Sequence, residues 1–209
     1  MEKFIIEGGF PLHGVVTPAG NKNAALPLLA ACLLTDEPII LHNVPEIRDV
    51  QTMRSLLLSL GVDISDVSTN TWKIQATDIR PADLDPDICR KIRASILLAG
   101  PMSARSGELL LPPPGGDVIG RRRVDTHLLA LRKLGADVTY DRSFRFSAPN
   151  GLKGADILMD EASVTATENA IMACVLAKGT STIRNAASEP HIQELCHFLN
   201  LLGAKIENI

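Results

Sequence analysis

The sequence predicts an α/β protein made of three copies of one helix-strand-helix-hairpin unit, the third incomplete. An internal repeat and an aliphatic composition lead there. Aromatic residues make up only 3% of the 209 residues, whereas hydrophobic residues make up 45%. A core must then be built from Leu, Ile, Val and Ala, which suits helices layered on sheets better than a Tyr/Trp-rich sandwich.

The repeat appears when the sequence is laid on itself. Residues 31–64 realign with 173–206 at a constant offset of about 142 positions. Ala31-Cys32, Leu34, Asn43, Gln51, Leu57, Leu60-Gly61 and Ile64 meet Ala173-Cys174, Leu176, Asn185, Gln193, Leu199, Leu202-Gly203 and Ile206. A weaker middle copy keeps Leu131, Leu134-Gly135, Asp137 and Val138.

Each copy reads in the same order. An apolar helix comes first, over 24–34, 92–103 and 166–177. A turn with Asp-Glu-Pro, Ser-Gly or Lys-Gly leads to a short strand over 39–41, 109–111 or 181–183. A second, amphipathic helix ends in Leu-Gly, where glycine takes the left-handed cap that other residues resist. Strand alternation then begins a hairpin, over 62–64 with 72–75 and over 138–140 with 144–147. The third copy stops at Ile206-Glu207-Asn208-Ile209, where its hairpin is due, so the chain is expected to be a piece of a longer protein. Three such units about a pseudo-threefold would bury the apolar helices centrally and place sheets outside.

Charge and composition exclude several classes. The net charge of −3 supplies no basic face for nucleic acid, and Arg121-Arg122-Arg123 is too short to track a phosphate backbone. That run reads as a local anion site. The four cysteines (Cys32, Cys89, Cys174, Cys196) have no metal-ligand spacing, and three of them lie in apolar helical runs as buried thiols. No metal and no cofactor is expected. The start, Met1 to Gly9, is too short and acidic for a signal peptide, and the apolar stretch around 24–34 falls short of a membrane span. A cytoplasmic protein without membrane association is expected.

Four segments could carry chemistry. Gly20-Asn21-Lys22-Asn23 stands at a loop-to-helix junction, where free N–H groups and a lysine suit phosphate or carboxylate; a simple Asn cap with a solvated Lys22 is the alternative. Arg90-Lys91-Ile92-Arg93 puts three cations before a helix, against its dipole; an anionic ligand or a solvated basic face would each account for it. The stretch from Pro112 to Arg123 has prolines at its entry, glycines in its middle and Asp117 before three arginines, which reads as a lid. Asp117 would act as a general acid if closure kept it protonated, or would be an exposed turn residue. Glu161-Ala162-Ser163-Val164-Thr165-Ala166-Thr167-Glu168-Asn169 opens the third apolar helix, where its hydroxyls would cap the helix or hold phosphates.

Together these segments resemble the enolpyruvyl transferases, and within them the branch acting on UDP-N-acetylglucosamine. The most specific pieces are Asn21-Lys22-Asn23-Ala24-Ala25-Leu26-Pro27, Arg93-Ala94-Ser95, Pro114-Gly115-Gly116-Asp117-Val118-Ile119-Gly120-Arg121-Arg122 and Val124-Asp125-Thr126-His127, and the likeness runs from Ile5 to Ile209. The resemblance implies an inside-out α/β barrel over 21–209, with a lid at about 112–123. It also implies that 1–20 is a strand segment packing with a second domain, and that the C-terminal half of the family is missing here. The implied reaction moves the enolpyruvyl group of phosphoenolpyruvate to the 3-hydroxyl of UDP-N-acetylglucosamine and releases phosphate. By similarity, Lys22, Asn23 and Arg122 bind phosphoenolpyruvate. Arg93, Arg122, Arg123, Val124, Asp125 and Thr126, with Glu161, Ala162, Ser163 and Val164, contact the nucleotide sugar. Asp117 stands where many members carry Cys, and takes the role of general acid toward the methylene carbon of phosphoenolpyruvate. The general base and further arginines would belong to the absent half, which leaves this chain alone inactive. A shikimate-3-phosphate transferase and a non-catalytic nucleotide-sugar-binding domain are the competing readings.

Overall fold

The computed structural model describes residues 3–116 and 123–209. The expected general acid Asp117 and the expected anion ligand Arg122 lie outside the described residues.

Helix α1 (Lys22–Ala31) starts where the Asn21 side chain accepts a hydrogen bond from the Asn23 N–H at 2.7 Å. It is apolar all round and buried on nearly all sides, and it runs into a tighter 3-10 turn, Cys32–Leu34. Strand β1 (Ile39–Leu41) follows, then α2 (Arg48–Ser59), which buries Val50, Met53, Leu56 and Leu57 on one stripe. The hairpin β2 (Asp63–Ser68) and β3 (Thr71–Gln75) completes the first unit, and its sheet runs β1-β3-β2. All pairings are antiparallel, with Ile39 and Ile64 flanking Ile74.

After the short α3 (Pro86–Cys89), the second unit repeats this order. A 3-10 segment, Arg93–Leu98, leads into α4 (Ala99–Arg105), β4 (Glu108–Leu111) and α5 (Asp125–Lys133). The hairpin β5 (Asp137–Asp141) and β6 (Ser143–Ser147) closes it, and the sheet order β4-β6-β5 matches the first. In the third unit α6 (Val164–Val175) is followed by β8 (Thr182–Arg184) and α7 (Pro190–Leu201).

The helix ends confirm the repeat. Gly61, Gly135 and Gly203 close α2, α5 and α7 with φ of 88°, 95° and 103°, the left-handed region open to glycine. Asn43 and Asn185, paired by the self-alignment, both have positive φ, 55° and 56°. The apolar helices form the interior: α1 packs on α6 and on 93–98, and α4 packs on α6. Eight consecutive residues of α6, from Ala166 to Ala173, are buried.

Two features differ from the sequence expectation. The helix expected over 92–103 is broken, its first half wound as a 3-10 segment. The physical reason is an inserted side chain: the Gly100 N–H donates to Asn169 Oδ1 and Asn169 Nδ2 donates to the Ile96 carbonyl, each at 2.7 Å. Those backbone groups would bond each other in an unbroken α-helix. The second difference is strand β7 (Asp156–Leu158), which pairs in parallel with β8, Ile157 opposite Ile183. Residues 3–20 form no helix or strand, and 3–19 are exposed, including Phe4, Ile5, Ile6, Phe10, Leu12, Val15 and Val16.

Candidate functional site

The start of α5 and the start of α6 are neighbours, because these helices pack together. The segments 123–126 and 161–164 therefore meet. Arg123 donates to Asp125 at 2.9 Å and lies 3.9 Å from Asp160. The hydrogen bond that Asp125 accepts, then its charge and those of Asp160 and Glu161, push the Arg123 guanidinium above its ordinary value. The Thr126 hydroxyl donates to Asp160 at 2.6 Å, which ties the first segment to the residue just before the second. Val124 is half-buried beneath the exposed Arg123 and Asp125.

Arg93 belongs to the same group: its guanidinium donates to the Arg123 carbonyl at 2.7 Å. Gly115 and Gly116, at the entry of the stretch expected to be a lid, lie against this cation's segment. A Cβ at Gly115 would overlap the Arg90 carbonyl, and one at Gly116 would lie 3.1 Å from the Arg93 nitrogen. Arg90 pairs with Asp87 at 2.8 Å, which answers part of the cation cluster locally.

Behind this surface His127 is buried, at 2% exposure, and Asn169 fully so. Asn169 Nδ2 lies 2.8 Å from His127 Nδ1, and Thr165 Oγ1 lies 3.2 Å from His127 Nε2. Desolvation, with the charge of Arg93 added, holds the imidazole pKa at about 3, so the ring is neutral.

At α6, Ser163 occupies the N-cap position, yet its side chain makes no capping hydrogen bond. The hydroxyls of the first turns serve other partners, Thr165 facing His127 and Thr167 accepting from the Ala187 N–H at 3.0 Å. The structure thus departs from simple capping by this segment. Glu161 and Ala162 are exposed and Ser163 and Val164 half-buried, beside a cavity of about 400 Å³ lined by Ala162, Ala186, Ala187, Ser188 and Glu189. A second cavity, of about 430 Å³, is lined by Asp125, Leu128, Leu129, Arg132, Lys133 and Asp160.

Lys22 is tied to a different residue. Its ammonium pairs with Asp49 of α2 at 2.6 Å yet stays solvent-accessible, Asn21 caps the helix, and Asn23 is exposed beside it, as in the simple-cap alternative with the ion pair added. Asp49 and Asp160 are the participants that sequence reasoning missed, and Asn169, read only as part of a helix start, has contacts that spacing did not give. Asp160 adjoins the Glu161 segment, a signal that was present; Asp49 and Asn169 become neighbours of the site only through helix packing.

Among the described residues no group of three or more His, Cys, Asp or Glu is placed to hold a metal ion. Nor is any helix among them long and apolar enough to cross a membrane. Burial pushes the Cys32 and Cys89 thiols up to about 12, so neither offers a thiolate near neutrality.

This arrangement sits on a known fold. The enolpyruvyl transferase NikO from Streptomyces tendae superposes over 96% of this chain and 47% of its own, with a TM-score of 0.80 at 23% identity. An EPSP synthase from Acinetobacter baumannii superposes over 94% of this chain and 45% of its own, with a TM-score of 0.72 at 17% identity. In sequence, the UDP-N-acetylglucosamine 1-carboxyvinyltransferase of Bradyrhizobium diazoefficiens is 58% identical over 207 residues, 99% of this chain and 48% of the relative. That of Treponema denticola is 56% identical over 209 residues, all of this chain and 49% of the relative. The chain therefore spans about half the length of the curated relatives it matches. Because the family model described as EPSP synthase (3-phosphoshikimate 1-carboxyvinyltransferase) matches residues 6–209, the chain belongs to that family of inside-out α/β barrels.

Proposed function

We propose that this chain is the N-terminal half of an enzyme that transfers the enolpyruvyl group of phosphoenolpyruvate to the 3-hydroxyl of UDP-N-acetylglucosamine. The observation that carries the reading is the 58% identity, over nearly the whole chain, to a relative named for that reaction. The EPSP synthase structures, at 16–17% identity, share the fold at a much greater distance.

The site's geometry supports the reading. Both substrates are anionic, and the start of the middle apolar helix brings Arg93 against Arg123, beside the helix start that holds Ser163 and Val164. In the proposed division of labour, Lys22, Asn23 and Arg122 hold phosphoenolpyruvate. Arg93, Arg122, Arg123, Val124, Asp125 and Thr126, with 161–164, hold the nucleotide sugar. Asp117 gives its proton to the methylene carbon as the sugar oxygen attacks C2. Loss of a proton from the new methyl group and cleavage of the C2–O bond to phosphate then regenerate the enol ether and release phosphate. The second half of the enzyme supplies the base for the sugar hydroxyl and pairs with the 1–20 segment, of which residues 3–19 are exposed. The product would enter peptidoglycan synthesis in the cytoplasm, with consequences for cell shape and division.

The test is phosphate release from phosphoenolpyruvate and UDP-N-acetylglucosamine by the full-length protein and its Asp117→Asn variant. Activity that collapses in the variant supports both the reaction and the acid. Equal activity in both removes Asp117 from the mechanism. Turnover of shikimate 3-phosphate instead of the nucleotide sugar overturns the substrate assignment.

A further inference from the structure

The two segments assigned above to the nucleotide sugar end one residue short of a buried bridge. His127 directly follows 123–126, and Thr165 directly follows 161–164. Between them lies a chain of hydrogen bonds whose proton positions can be deduced.

The deduction starts at Asn169. The Gly100 N–H can only donate, so it fixes Oδ1; the Ile96 carbonyl can only accept, so it fixes Nδ2. The carboxamide thus has one orientation. Its second N–H points to His127 Nδ1 at 2.8 Å, so that nitrogen carries no proton and acts as acceptor. The ring proton is then on Nε2, which donates to Thr165 Oγ1 at 3.2 Å. The result is a directional relay of contacts from the backbone at 96–100, through α6, to the start of α5, and back to the first turn of α6.

Its position gives it a purpose beyond stability. Burial and the nearby Arg93 keep the imidazole neutral, so the bridge does not switch with pH near neutrality. A charged ring would repel Arg93, which holds the Arg123 carbonyl at 2.7 Å. A single neutral tautomer therefore keeps the 123–126 segment, the 161–164 segment and Arg93 in one fixed register.

We propose that His127, Asn169 and Thr165 are positioning residues that set the spacing of the two nucleotide-sugar segments, and with it selective affinity for that substrate over phosphoenolpyruvate. The proposal rests on the function reading above.

The experiment is steady-state kinetics of the full-length enzyme carrying His127→Phe, His127→Asn or Thr165→Val, with each substrate varied in turn. His127→Phe removes both ring contacts. It raises KM for UDP-N-acetylglucosamine about tenfold, while kcat and KM for phosphoenolpyruvate stay within about twofold. His127→Asn, whose carbonyl oxygen takes the place of Nδ1 as acceptor, restores most of that affinity. Thr165→Val shifts the same KM in the same direction by less. A purely structural bridge would move both KM values and kcat together, and that pattern, or no change in any variant, overturns the proposal.

If the wild-type enzyme turned over no nucleotide sugar, the function reading would fall. The positioning would then be judged by backbone amide exchange in the full-length protein over 124–128 and 161–165. Faster exchange in His127→Phe that His127→Asn restores supports the bridge as the element that fixes these segments; unchanged exchange overturns it.

Discussion

Asn169 and Gly100 are joined by a hydrogen bond that an unbroken helix would have given to Gly100 and Ile96. The carboxamide fills the gap from both sides, at 2.7 Å to each backbone group. Glycine is needed at the contact, since a Cβ there would lie 2.5 Å from the Asn169 carbonyl oxygen and 2.7 Å from Oδ1. Gly100→Ala is expected to destabilise the chain by about 2–3 kcal/mol through overpacking, read from urea denaturation.

Two buried groups give stability opposite slopes in pH. The His127 pKa is held at about 3, below its ordinary 6.5, so only the unfolded chain protonates this ring between those values. Stability due to His127 therefore falls as pH drops through that window. Burial, with Glu189 adding repulsion, raises Glu168 from 4.5 to about 8, so the fold keeps a proton that the unfolded chain loses between them. Stability due to Glu168 falls as pH rises through that window. Denaturation midpoints measured from about pH 4 to about pH 9 should show the acid-side loss reduced in His127→Asn and the alkaline-side loss reduced in Glu168→Gln.

Arg105 closes the end of the first apolar helix from another repeat. Its guanidinium donates to the carbonyls of Leu33, Thr35 and Ala76, at 2.7, 2.6 and 2.6 Å. The planar fork spreads these bonds over two nitrogens, Nη1 to Leu33 and Thr35 and Nη2 to Ala76, a span that the single ammonium nitrogen of a lysine does not match. Arg105→Ala is expected to cost about 2–3 kcal/mol in denaturation, and Arg105→Lys to recover only part of it.

Lys22 separates structural from chemical importance. Its ion pair with Asp49 is 2.6 Å long but solvent-accessible, with side chains 44% and 38% exposed. Asp49→Ala should therefore change stability by less than about 1 kcal/mol. If Lys22 holds phosphoenolpyruvate as proposed, Lys22→Ala in the full-length enzyme should lower phosphate release by about 100-fold or more, through loss of a full charge at the anion.

Asp117 makes a pharmacological prediction. A carboxylate cannot form the stable thioether by which fosfomycin inactivates enzymes with Cys at this place. Full-length wild type is expected to keep its activity after incubation with fosfomycin, and Asp117→Cys to lose it with time. Time-dependent loss in the wild type would count against the assignment.

Much of the architecture was written in local pattern. The alignment paired Asn43 with Asn185, and both take the positive φ that asparagine tolerates after a strand. Leu-Gly at the ends of α2, α5 and α7 foretold the helix stops for the same kind of reason. Strand β7 was missed although Ile157 and Met159 are buried around an exposed Leu158, since three residues of alternation are a weak signal and the partner lies beyond α6. The break in the middle helix was missed because its cause, Asn169, is 69 residues away in sequence. The site divides the same way. The resemblance names 123–126 and 161–164, but that they are neighbours follows only from the packing of α5 on α6, and the pairing of Lys22 with Asp49 likewise depends on packing that spacing does not encode.

The inserted carboxamide makes one backbone proton a witness to assembly. The amide of Gly100 is shielded by a side chain from another repeat and not by its own turn. It cannot become slow to exchange until α6 has docked, however early the neighbouring helical amides are protected. Were the repeats to form one after another during folding, this single resonance would date the moment at which the second and third became one body.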